Sequence, residues 1–323
     1  MPSAAPILEV SNLVKQFPLG QGWTGRARES VHAVDGVSFK VNPGETLGIV
    51  GESGCGKSTT ARMIVKLVEP SAGTIRLDGE DITHHSAAAM WPHRRRVQFI
   101  FQDPYSSLNP RMRAGAIVGE PLLNYGLASG RDLAARVAPF FERVGLRTAQ
   151  MNNYPHEFSG GQRQRLGIAR ALALTPGLIV AAEPVSALDV SVQAQVINLM
   201  MDLQDEFGLA YLFIAHDLAV VQHISHRVAV MYLGRIVELA DKRDLFATPQ
   251  HPYTETLLAA VPVPDPRARR VQVAPAGEVP SPIHRPSGCH FHLRCPYAEA
   301  RCRVDDPPLR EVRPGHFAAC HLR

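Results

Sequence analysis

The chain has 323 residues, with 34 Lys and Arg against 30 Asp and Glu, a formal charge of +4, 45% hydrophobic residues and 20% charged ones. That composition excludes a disordered or collagenous chain, and at about 150 residues per domain it leaves room for two domains. The charge is mild and its one dense basic run, Arg94-Arg95-Arg96, reads as a solvated turn, so nucleic acid is not an expected partner.

No apolar stretch reaches the roughly 18 to 20 residues that span a bilayer. Met1 to Val10 lacks a basic segment followed by an apolar one, so no secretory signal is read there. The expected compartment is the cytosol, where thiols stay reduced and clustered cysteines bind metal more often than they pair.

In chain order, Ile7 to Phe17 and Val31 to Val41 read as strands, the second on the alternation from Val34 to Val41, with a Gly- and Arg-rich loop from Pro18 to Glu29 between them. The apolar run Thr46 to Val50 meets a Gly-rich turn. A helix follows over Ser58 to Val68, with Met63, Ile64, Leu67 and Val68 at helical spacing. Val97 to Phe101, Leu178 to Ala181, Tyr211 to Ile214 and Val228 to Met231 are further short apolar runs separated by helical segments. They predict an α/β domain with a mostly parallel sheet. Pro104 to Ala173 has helical periodicity and predicts an α-helical insertion. A last helix ends at Ala260, and seven prolines between Pro262 and Pro286 predict an extended arm.

Gly51-Glu52-Ser53-Gly54-Cys55-Gly56-Lys57-Ser58 matches G-x-x-x-x-G-K-[ST] between a predicted strand and a predicted helix. Backbone N–H groups curl around phosphate oxygens there, Lys57 reaches the β- and γ-phosphates, and the Ser58 hydroxyl ligates magnesium, with Thr59 following on the helix. The chain is therefore expected to bind a nucleoside triphosphate.

Downstream residues narrow the class. Ser159-Gly160-Gly161-Gln162 ahead of a predicted helix from Arg163 to Leu174 resembles the signature of ATP-binding cassette (ABC) ATPases, with Phe158 where many members carry Leu. Phe101-Gln102-Asp103 looks like the Q-loop, Leu178 to Pro184 like the Walker B strand with Glu183 as catalytic base, and Ser186 to Asp189 like the D-loop. His216 looks like the switch histidine. The resemblance implies a P-loop NTPase core with an antiparallel β-subdomain and a helical subdomain at about 104–173, together spanning residues 1–260. It implies that the signature of one subunit closes on ATP held by the P-loop of another, and that Phe17 stacks on adenine. Glu183 would polarise the attacking water, His216 would hold the γ-phosphate, and Gln102 would join Ser58 at magnesium.

Ala182 departs from the pattern, which has Asp before the catalytic Glu. A methyl group cannot order a metal's water shell, so weak magnesium positioning and slow hydrolysis are expected, with binding kept. Either an engineered substitution or a naturally degenerate, regulatory site in an asymmetric pair accounts for it.

Residues 31–39, 51–60, 101–111 and 251–254 look like the ATP-binding subunits of oligopeptide and dipeptide importers, closest to their F-type subunits. That resemblance implies a second, similar ATPase, two permease subunits, an extracytoplasmic peptide-binding protein, and a place on the cytoplasmic face of the membrane. Nickel, glutathione and murein-peptide importers use close relatives. Soluble ABC ATPases of translation or DNA repair want two cassettes or a coiled-coil insertion, and neither is found. Tyr105, Leu108 and Met112 are candidates for apolar contact with a permease helix, or for ordinary packing.

The region 261–323 carries Cys289-x5-Cys295-x6-Cys302-x17-Cys320. Four thiolates in a short segment with little apolar sequence suit a metal that helps it fold, either zinc or an iron–sulfur cluster, and free or paired thiols stay possible. The lack of a C-x2-C pair counts against a zinc ribbon. In the resembled family this region can carry a four-iron four-sulfur cluster. His290, His292, His316 and His321 read as solvated loop residues, and Cys55 as a variable position of the phosphate loop.

Overall fold

A computed structural model describes residues 5–20, 29–260 and 277–323. Most of the predicted loop from Pro18 to Glu29 and the first part of the predicted Pro-rich arm lie outside the described residues. In chain order the strands are β1 (Leu8–Leu19), β2 (Glu29–Val41), β3 (Thr46–Val50), β4 (Ala72–Leu77), β5 (Glu80–Asp81), β6 (Val97–Ile100), β7 (Leu178–Ala182), β8 (Ala210–Ile214), β9 (Arg227–Tyr232), β10 (Arg235–Asp241), β11 (Arg310–Arg313) and β12 (His316–Ala318). The α-helices are α1 (Lys57–Ile64), α2 (Ala114–Asn124), α3 (Leu133–Arg143), α4 (Gly160–Leu172), α5 (Val190–Phe207), α6 (Leu218–Ile224), α7 (Lys242–Ala247) and α8 (Pro252–Ala259).

The chain divides into two compact units. The first holds Met1–Ile7, Val41–Glu45 and His85–Ile214. Its strands β6, β7 and β8 pair in parallel, and every residue of β7 and β8 is buried. Strands covered on both faces read as continuous apolar runs, which is why Leu178 to Ala182 and Ala210 to Ile214 show no alternation. Helices α2, α3 and α4 pack on one another around Ile117, Val137, Phe141 and Leu166. The helical block expected between Pro104 and Ala173 is thus present.

The second unit holds Leu8–Lys40, Thr46–His84 and Ala215–Arg323. It contains one sheet in the order β2-β1-β4-β5, with β4 antiparallel to β1 and to β5. In a second set, β3 and β9 are parallel, while β9-β10, β10-β12 and β12-β11 are antiparallel. The cysteine-bearing tail therefore donates two strands to the unit that also carries the phosphate loop.

Two predicted boundaries move. The helix after the phosphate loop ends at Ile64 rather than Val68, because Lys66 takes φ +57° and turns the chain, leaving Leu67 54% exposed. The helix after Ser159 begins at Gly160 rather than Arg163, since Ser159 caps it by accepting a hydrogen bond from the Gln162 N–H at 3.3 Å, while Gln162 Oε1 accepts from the Ser159 N–H. The β4–β5 hairpin was not expected, although Asp78-Gly79, both at positive φ, carries the turn chemistry that signals it.

Candidate functional site

In the second unit, the phosphate loop joins β3 to α1 and needs its glycines for space. A Cβ on Gly56 would stand 2.1 Å from the Ala33 carbonyl oxygen, and one on Gly51 would stand 2.1 Å from that of Met231. Lys57 is buried at the first position of α1, and its Nζ donates to the Gly51 carbonyl at 2.6 Å and the Glu52 carbonyl at 2.9 Å. Its ammonium is thus held inside the curve of the loop where phosphate oxygens would lie. Cys55 is buried with its Sγ 3.7 Å from Lys57 Nζ, and burial raises its thiol pKa. Ser58 and Thr59 follow within α1. Phe17 is 38% exposed near the end of β1, with Lys15 Nζ 4.9 Å from its ring centre, so it is not a core residue. His216 lies exposed between β8 and α6.

The first unit brings Gln102 and Glu183 together across 81 positions, Gln102 Nε2 donating to Glu183 Oε2 at 2.8 Å. Glu183 follows β7 with φ +49°, a conformation that costs a non-glycine residue of order 1–3 kcal/mol. Its N–H donates to the Ile214 carbonyl at 2.8 Å, which holds the turn. Ala182, the last residue of β7, is buried and offers only a methyl beside it. Asp189 caps α5 by accepting from the Val192 N–H at 3.0 Å, and bonds to that N–H and to Ser191 hold its carboxyl below the usual carboxylate range.

The segment after Gln102 is tied to the helix that Ser159 caps. Arg170 Nη1 donates to the Ser107 carbonyl at 2.7 Å, and the Arg163 guanidinium sits 5.0 Å from the Tyr105 ring centre. Leu108 is only 2% exposed, so it is a packing residue and drops out as a contact for another protein. Tyr105, at 62% exposure, remains available.

In the tail, Cys289, Cys295, Cys302 and Cys320 line one small pocket together with His292 and His321. The Cys289 N–H donates to the Cys302 carbonyl at 2.9 Å, closing the segment on itself. No disulfide forms among the described residues. Burial pushes the Cys289 thiol up to about 11 and raises those of Cys295 and Cys320. Two of the four neighbouring histidines are not solvated as expected. His290 is buried, with its pKa lowered to about 4 by burial, and His316 is buried with Nε2 2.6 Å from Glu238 Oε1.

Sequence reasoning passed over Arg294. Its guanidinium donates to both carboxylate oxygens of Glu52, at 2.8 and 2.9 Å, across 242 positions of chain. Nothing local marks such a pair. Tyr253 was also passed over, although its Oη accepts from the Glu52 N–H at 2.9 Å.

Residues 34–186 match the family model described as ABC transporter, and the chain is an ATPase of that class. The ATP-binding cassette MJ0796, solved as a dimer in a post-hydrolysis state with ADP and Pi, superposes with a TM-score of 0.65 at 28% identity, covering 73% of this chain and 99% of that one. Residues 237–302 match a second model, the oligopeptide/dipeptide transporter C-terminal region. A probable peptide ABC transporter ATP-binding protein, y4tS of Sinorhizobium fredii, is 55% identical over 98% of this chain and 90% of its own length. The oligopeptide transport ATP-binding protein AppF of Bacillus subtilis is 52% identical over 98% and 97%. The chain belongs to this family, the ATP-binding subunits of peptide-importing ABC transporters.

Proposed function

We propose that this chain powers import of di- and oligopeptides as one of two ATP-binding subunits beneath two permease subunits, on the cytoplasmic face of the membrane, fed by an extracytoplasmic peptide-binding protein. The observation that carries the reading is the phosphate loop with Lys57 set inside it, in a chain whose residues 237–302 match the oligopeptide transporter region. Among the described residues no helix is long and apolar enough to cross a membrane, which fits a division of labour with separate permeases.

The N–H groups from Ser53 to Ser58 would hold the phosphates, Phe17 would stack on adenine, and Ser58 with Gln102 would serve magnesium. Glu183 would polarise the attacking water and His216 would bond the γ-phosphate. Ser159, Gly160, Gly161, Gln162 and Asp189 would face nucleotide held by the second subunit. Ala182 leaves the metal without its usual carboxylate, so hydrolysis is slow while binding persists.

The chemistry of the tail suits a metal group. Four thiols line one pocket, and those of Cys289, Cys295 and Cys320, raised by burial, would become favourable as thiolates only beside a cation. The lack of a C-x2-C pair counts against a zinc ribbon, which favours a four-iron four-sulfur cluster on Cys289, Cys295, Cys302 and Cys320. Such a group supplies folding energy to the segment and one-electron chemistry.

The test is the transporter assembled with its permeases and binding protein in proteoliposomes. ATP-dependent uptake of labelled di- or oligopeptide supports the reading. Uptake of glutathione or nickel instead would redirect the substrate, and peptide uptake unchanged by loss of Glu183 would mark a regulatory subunit.

A further inference from the structure

The tail reaches the phosphate loop through Arg294. Arg294 immediately precedes Cys295, and its side chain is 5% exposed. It forks onto both oxygens of Glu52, the second residue of the loop. The guanidinium lies 5.9 Å from the ring centres of both Tyr232 and Phe291, and the Glu52 carboxylate raises its pKa, so it stays charged. Tyr232, Tyr253 and Phe291 pack ring to ring at 4.6 to 5.4 Å, and Tyr253 takes the Glu52 N–H. The carbonyl of the same Glu52 holds Lys57 Nζ. One residue of the loop is therefore fixed through its carboxylate by the tail, through its N–H by α8, and through its carbonyl by the phosphate-binding lysine.

The geometry points to Arg294 as a positioning residue for the phosphate loop, which makes the nucleotide affinity of this subunit depend on the ordered state of the cysteine segment. A planar fork gripping a carboxylate transmits position as well as charge, because both bonds must be kept at once. When the segment around Cys289, Cys295, Cys302 and Cys320 is ordered, Arg294 is presented to Glu52 and the loop is held open for phosphate. When it loosens, the fork is withdrawn, Glu52 is released, and the loop carbonyls that hold Lys57 lose their support. The inference rests on the reading of the loop as the ATP site and is independent of which metal orders the tail.

The experiment measures coupling on the purified full chain. The rate at which an alkylating reagent modifies the tail thiols is followed with and without saturating ATP, and the dissociation constant of a fluorescent ATP analogue is titrated in parallel. In the wild type, ATP slows alkylation, and alkylating the tail weakens nucleotide binding by a matching factor, of order 5- to 150-fold for a coupling of ordinary size. In Glu52→Gln and in Arg294→Lys, which keeps the charge and loses the fork, both factors fall towards one. Equal protection in wild type and variants overturns the proposal, as does a wild type with no protection. Absorbance near about 400 nm on the same sample reports separately on the iron–sulfur reading, so its loss leaves the coupling measurement valid. Melting curves of the two variants identify any that fail to fold, and the wild-type comparison then decides.

Discussion

Gln102 Nε2 donates to Glu183 Oε2 at 2.8 Å, so the residue that opens the helical block and the residue at the end of a buried strand share one hydrogen bond. A carboxylate aimed by an amide is held in one orientation, and the amide's own backbone continues into the segment pinned by Arg170 and Arg163. Movement of that segment would therefore reach the Glu183 carboxylate, the proposed base.

Replacing Glu183 with Gln removes the basic oxygen while keeping the shape. Steady-state ATPase rate in the assembled transporter should fall by about 10²- to 10⁴-fold, with the dissociation constant for ATP nearly unchanged. Gln102→Ala should lower the rate less and should weaken its response to transported peptide.

Ala182→Asp places a carboxylate beside Glu183. The magnesium concentration for half-maximal rate should drop and the maximal rate rise, each by about 10- to 100-fold, the range for restoring a group that orients a metal's ligands. A titration of rate against magnesium checks this, and an unchanged curve would overturn the proposal that Ala182 slows hydrolysis.

Tyr105 and Leu108 lie three residues apart and should behave as opposites. Leu108→Ala empties a buried site and should cost about 2–5 kcal/mol in denaturant unfolding. Tyr105→Ala should stay within about 0.5 kcal/mol and show its effect in co-purification with permease subunits.

His251 caps α8 through its Nδ1, which accepts from the Tyr253 N–H at 3.1 Å, and burial lowers its pKa from 6.5 to about 4. The Glu238 carboxylate on β10 takes the His251 N–H at 2.9 Å, and its other oxygen contacts His316 Nε2 of β12. The folded state holds His251 neutral where the unfolded chain would protonate it, so stability is full above pH 6.5 and falls as pH drops towards 4. Melting temperature against pH should bend downward over that window, and His251→Asn, which can still cap, should flatten the bend.

What the sequence determined was whatever is written locally. The phosphate loop was legible because spacing, glycines and flanking apolar runs occupy eight adjacent residues, and β7 and β8 were legible because burial on both faces leaves an unbroken apolar run. The order of Gln102, Ser159, Glu183 and His216 named the class. Even the gathering of four cysteines in the last 35 positions was visible in advance. Tertiary structure decided the pairings between distant positions. It buried Leu108 and His316, took Glu183 into positive φ, and drew the cysteine-bearing tail into strands β11 and β12 beside β10. It also set Arg294 on Glu52, because a salt bridge across 242 residues has no periodicity, motif or composition to announce it and exists only once the tail has folded back onto the loop.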